Sequence, residues 1–235
     1  MTLSSEQFNE IIKYPFSGKD WFIRISLQGA LLALLCPFLI GIPFLAGFVI
    51  THTRRGIDGS LDYPSWNDWG LYWSRGWRAL AVNVVYYLPI LALFVTYMVV
   101  AVIPLVVGAV TESDALMAVG SILAMLGSVV LYACMFVYAI FYSLVQMATA
   151  PLVALDLPIA ASFQLKHYVW PYMKANIVNM ILAFLITYLC ALVANIGLLL
   201  LFIGIFFTFP IAVAMMAYAN GLIYRISTVK YPASH

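Results

Sequence analysis

The chain has 235 residues, of which 65% are hydrophobic and only 9% charged, with a formal net charge of +2. Soluble domains carry roughly 45–50% apolar and about 25% charged residues, so a water-soluble globule is excluded: there are too few charges to cover its surface. The charges are few and scattered, which also excludes a nucleic-acid binder, since no basic field can form.

The first 21 residues, MTLSSEQFNEIIKYPFSGKDW, are polar and mildly amphipathic. They read as an interfacial segment (1–21) and lack the short basic region and apolar core of a cleavable signal peptide. An apolar stretch follows over 22–53. As one helix it would be about 48 Å long, against a hydrocarbon core of about 30 Å. It is interrupted by CPFLIGIP, with Pro37, Gly41 and Pro43. It is therefore one kinked, tilted span or a re-entrant hairpin that returns to the side it entered.

The next unit, 60–150, opens with LDYPSWNDWGLYWSRGW. Trp66, Trp69, Trp73, Trp77 and Leu80 recur there at helical spacing. That pattern predicts an amphipathic helix lying in the headgroup layer and starting near Pro64. Tryptophan suits that layer, because its ring is apolar and its N–H needs a wet partner. Two apolar runs follow, Ala81 to Val110 and Ala115 to Ala150, separated only by Thr111–Asp114. They are continuously apolar, unlike the alternating strands of a barrel, and form an antiparallel pair of transmembrane helices.

The last unit, 155–225, opens with LDLPIAASFQLKHYVWPYMKAN. This is a weaker amphipathic copy, with Ile159, Phe163 and Trp170 on its apolar side. The run from Ala175 to Tyr224 is long enough for two crossings, with Asn195–Gly197 and Ile203–Pro210 as the expected turn region. The fold class is thus all-α integral membrane, a single polytopic domain. It has four full transmembrane helices, the N-terminal re-entrant hairpin or kinked span, and two interfacial helices.

Both rhyming segments start Leu-Asp-x-Pro and continue to Trp77/Asn83 and Trp170/Asn176. Each leads into two spans, so the chain reads either as a parallel internal repeat or as coincidence among residues common at interfaces. Arg54, Arg55, Arg75, Arg78, Lys166, Lys174, Arg225 and Lys230 fall on one membrane face, while the other holds Glu112 and Asp114. By the positive-inside rule the basic face, the interfacial helices and the C-terminus are cytoplasmic, in an inner membrane. Lys13, Lys19 and Arg24 favour the hairpin reading of 22–53.

YPFSGKDW, GFVITHTRRGIDGSLDYPSWNDWG, GWRALAVNVVYYLP and the ending GIFFTFPIAVAMMAYANGLIYR together resemble a bacterial and archaeal membrane family known as domain of unknown function 4013. The likeness covers most of the chain and is most specific over Asp62–Pro89. Tyr63-Pro64 stands where the family has Leu-Pro, and Gly47-Phe48 where it has Gly-Tyr. The resemblance implies a fold type and a bacterial or archaeal source, and no activity.

Little in the sequence carries chemistry. Charged residues inside a bilayer are costly and usually functional, and none lies deep in the spans, which argues against an ion-coupled transporter. Asn83, Tyr87, Tyr138, Tyr142, Gln146, Asn176 and Asn179 would line a polar cleft for a small ligand or lipid headgroup, or else bond between helices. His52 and His167, near the surface, are conceivable haem or pigment ligands, though a lone interfacial histidine reads more simply as a surface residue. Asp62 and Asp156 could form an acid pair, or cap helix starts. Cys36, Cys134 and Cys190 have no metal-ligand spacing and read as small core residues. Gly204 and Thr208 have small-x-x-x-small spacing.

No catalytic residue, metal or cofactor is expected. The partners expected are the lipid bilayer and other membrane subunits or a second copy, and not nucleic acid. The functional expectation is a non-catalytic accessory, assembly or scaffold subunit. The alternative is a small permease or lipid-handling protein.

Overall fold

The computed structural model describes residues 2–27, 41–64, 68–199 and 205–231. Every regular element among them is helical: α1 (Ser5–Lys13), α2 (21–27), α3 (Gly41–Asp58), α4 (Trp69–Tyr97), α5 (Ile103–Val110), α6 (Asp114–Ala154), α7 (Trp170–Leu199) and α8 (Ile205–Ile226). Among the described residues, four helical segments are long and apolar enough to cross a membrane: Trp69–Val110, Asp114–Ala154, Leu165–Ile186 and Thr208–Ile226. With the composition, they make this a multi-pass membrane protein. The middle of the 22–53 stretch, residues 28–40 with Pro37 and Cys36, lies outside the described residues, as do Trp66 and Gly204, while Gly41 and Pro43 of the expected break stand in the first turn of α3.

Three expectations need correcting. The tryptophan-rich segment is no separate helix. Residues 61–64 have no regular structure, and the helix that begins at Trp69 continues to Tyr97. Its rhyme is not an amphipathic α-helix either. It forms a 3-10 turn (Ile159–Phe163) and a π turn (Leu165–Val169) that runs straight into α7. Finally, Asn195–Gly197 is no turn, because α7 passes through it to Leu199, and α8 already begins at Ile205.

The contacts divide the chain into two units, Met1–Val82 with Val145–His235, and Asn83–Leu144. In the first, α3 packs against α4 and α8 at glycines. A Cβ on Gly47 would lie 1.8 Å from the Tyr72 carbonyl oxygen, and one on Gly76 would lie 1.8 Å from that of Pro43. The paired positions run in opposite directions, so α3 and α4 cross antiparallel with backbones touching. Gly56 meets the Tyr218 carbonyl and Gly221 meets that of Thr53, which brings α8 equally close. Without lipid–water contrast between helices, such close van der Waals packing is what holds them. The N-terminal segment starts α1 with a capping box, Ser4 with Gln7, and is tied on by Ile11 and Tyr14, both fully buried.

The second unit is a helical hairpin. Gly108 sits against Leu116 and Met117, Gly120 against Leu105, and Gly127 against the Tyr97 ring. Pro104 removes one backbone donor, and the chain accommodates it with the π turn Met98–Val102, whose closing bond runs from the Ile103 amide to the Met98 carbonyl. Pro89 likewise has no amide to give to the Val85 carbonyl four residues before it, and next to that carbonyl the Tyr138 hydroxyl donates to the carbonyl of Tyr86. Away from the seam the hairpin is exposed and apolar. Cys134 is exposed there too, and so is not a core residue.

Candidate functional site

The expected polar cleft separates into groups with different surroundings. Asn176 is buried and donates from Nδ2 to the Tyr172 carbonyl (2.9 Å) and to Ser227 Oγ (2.7 Å). Asn179 is buried and accepts from the Leu3 amide at 3.1 Å, which pins the N-terminus to α7. Both amides are occupied in holding the fold. Gln146 belongs to the same unit as these two, half-buried on α6. In the hairpin unit the rings of Tyr87 and Tyr142 lie 4.7 Å apart, and those of Tyr138 and Tyr142 stack at 6.4 Å. Asn83 is half-buried at the start of this unit.

His52 is not the surface residue its position suggested. It is fully buried, and its Nδ1 lies 2.6 Å from the Tyr14 hydroxyl. Phe48, Tyr63 and Tyr14 surround the ring at centroid distances of 4.1, 4.8 and 5.5 Å, and Tyr218 stacks on Tyr14 at 4.0 Å. The residue lies in α3, outside the four candidate spans. Burial, helped by the nearby Arg55 guanidinium, lowers its pKa to about 3. Burial also raises the Tyr14 pKa well above the usual tyrosine value. Tyr14 therefore stays protonated and donates, Nδ1 accepts, and the proton on Nε2 faces no acceptor. Beside this pair, Glu10 accepts from Tyr218 and receives Arg225 Nη2 on both carboxylate oxygens at 2.8 Å. His167 is exposed in the π turn before α7. Among the described residues no three His, Cys, Asp or Glu side chains gather to hold a metal.

Trp69, Trp73, Trp77 and Trp170 are all exposed. On α4 they border a buried face of Tyr72, Gly76 and Ala79. Phe44 joins the stripe, with its ring 5.3 Å from Trp69 and 5.1 Å from Trp73.

The two aspartates part company. Asp62 is exposed in the irregular segment before α4. Asp156 sits in a left-handed turn at φ 58° and binds Arg78 Nη1 at 2.7 Å and Arg75 Nη2 at 3.2 Å. Arg78 also donates to the Leu157 carbonyl at 2.5 Å, and Arg54 Nη1 to that of Ala154 at 3.3 Å. Three arginines thus close on one turn. They bring together the two rhyming segments, a contact that the repeat alone did not suggest.

A family model described as "Protein of unknown function (DUF4013)" matches residues 30–203. The chain belongs to this family. The match takes in the α3–α4 crossing, the hairpin and the Arg–Asp156 turn, and leaves the N-terminal Tyr14 and the whole of α8 outside it. No curated protein and no solved structure matches the chain.

Proposed function

We propose that this DUF4013 member is a non-catalytic accessory or scaffold subunit of a larger assembly in an inner membrane. The observation that carries the reading is the hairpin's outward surface. On α6, Met125, Val129, Tyr132 and Phe136 follow one another at helical spacing and are 64–70% exposed. Residues 114–144 extend about 46 Å as a helix. At the roughly 40° upper limit of helix tilt, a core of about 30 Å covers only about 39 Å of helix. Lipid alone therefore leaves about 7 Å at the ends of this helix uncovered, and a protein partner, or a second copy, packed along the helix and its stripe would cover it.

In this reading the basic face is cytoplasmic, residues 22–53 re-enter, and the tryptophan stripe of α4 and Trp170 float the bundle at headgroup depth. Duplication rests on the sequence rhyme; the different fates of Asp62 and Asp156 weigh against a strict repeat. The permease alternative draws on the tyrosine cluster of the hairpin, and the internal bonding of Asn176 and Asn179 counts against it.

Purification in a mild detergent tests the proposal. A defined complex with a stoichiometric partner, or a stable homo-oligomer, is expected. A monodisperse monomer that co-purifies with nothing would overturn it.

A further inference from the structure

We propose that Arg54, Arg75 and Arg78 form a binding site for the phosphate of an anionic lipid headgroup at the Ala154–Leu157 turn. The charge count comes first. Three guanidiniums meet two carboxylates, Asp156 and Asp58, the latter paired with Arg54 Nε at 3.0 Å. One positive charge is left over, which a phosphodiester monoanion would balance. The donors come second. Each guanidinium offers five N–H groups in a planar fork. Arg75 spends one on Asp156, and its Nε is buried with no acceptor. Its side chain is only 11% exposed, so this orphan is costly unless something accepts from it. Arg54 and Arg78 each spend two groups.

Depth comes third. Arg75 and Arg78 alternate along α4 with Trp73 and Trp77, whose exposed rings mark the headgroup level. At that level the abundant anion is a lipid phosphate, and basic pockets between spans bind such headgroups. Asp156 is half exposed, so the turn is open on one side. In this arrangement Asp156 holds the arginines in place and limits the charge, and the phosphate takes the donors it leaves.

The test uses the full-length protein in nanodiscs, with native mass spectrometry and a thermal shift. Phosphatidylglycerol, phosphatidylcholine and inorganic phosphate serve as probes. Phosphatidylglycerol should bind and stabilise; phosphatidylcholine should not. Free phosphate alone giving the same shift would show a soluble-anion site and overturn the lipid assignment. R54Q, which leaves both Asp156 bonds intact, should weaken phosphatidylglycerol binding by about tenfold, the loss of one charge-assisted contact. D156N discriminates further. If the cluster binds phosphate, removing the competing carboxylate raises phosphatidylglycerol affinity even though the fold is weakened. If the arginines only clamp the turn, D156N lowers the melting temperature and leaves lipid preference unchanged. That result, or an R54Q variant that binds like the parent, would overturn the proposal.

Discussion

Replacing Gly76 by alanine drives a methyl carbon into the Pro43 backbone. The new Cβ would stand 1.8 Å from the carbonyl oxygen and 2.6 Å from its carbon, where ordinary contact begins near 3.4 Å. Neither atom is the end of a flexible side chain, so α3 and α4 must move apart by roughly 1.5 Å in an interior that deforms poorly. Overpacking of this kind costs about 1–3 kcal/mol. Alanine recovers about 0.5–1 kcal/mol through its better helix propensity, which leaves a net loss of about 1–2 kcal/mol. Gly47 faces Tyr72 with the same geometry, so G47A should cost as much. The G47A/G76A double variant should cost less than the sum, because one separation of the helices makes room for both methyls. Gly70 lies on the same helix with nothing within 4 Å, and G70A should be neutral or slightly stabilising. Reversible unfolding in mixed micelles, titrated with denaturing detergent, reads all four variants. G76A as stable as G70A, or strictly additive single variants, would refute the close-packed crossing.

Tyr14→Phe removes the donor to His52 and leaves a fully buried acceptor unpaired; a loss of about 1–3 kcal/mol is expected in the same unfolding assay. His52 supplies a pH test. Its pKa falls from 6.5 to about 3 on folding, so below pH 6.5 the unfolded chain binds a proton that the folded one refuses. Stability should drop as pH falls from about 6.5 towards 3, by up to about 1.4 kcal/mol per unit, and His52→Gln should flatten that slope. Asn176→Ala removes the donor that ties Ser227, just past α8, to α7; it should destabilise by about 1 kcal/mol while leaving any lipid binding intact, and a selective loss of binding would instead favour the cleft. Tyr138→Phe leaves the Tyr86 carbonyl without its hydroxyl donor and should cost about 1 kcal/mol, read as faster amide exchange beside Pro89.

The four spans were legible because a continuous apolar run longer than a bilayer has few alternatives. The tryptophan stripe was legible too, since helical spacing fixes which residues share a face. The start of α4 was not. Pro64 carries a good local signal for a first helical turn, but Tyr63 is drawn into the core beside His52 and Tyr14, and α4 is assigned only from Trp69. His52 was misread for a related reason. Its neighbours Arg54 and Arg55 place it near the surface by depth, while Phe48 one turn earlier and the docked N-terminal segment bury it. The Arg75–Asp156 and Arg78–Asp156 pairs join residues 81 and 78 positions apart, and no local pattern announces such a partner. The glycine crossings left a faint trace. Gly47, Gly56, Gly76 and Gly221 are small residues in helices, but spacing alone cannot tell which of them faces another backbone.

The central claim is that the exposed stripe of the hairpin is a protein-binding surface. Photo-crosslinking in native membranes tests it most directly, with a photoreactive residue placed in turn at each position from Met125 to Phe136. The account predicts one discrete protein adduct, from a partner or a second copy, that rises and falls with helical period and peaks at Met125, Val129, Tyr132 and Phe136. Lipid adducts alone at every position, with no period, would contradict it.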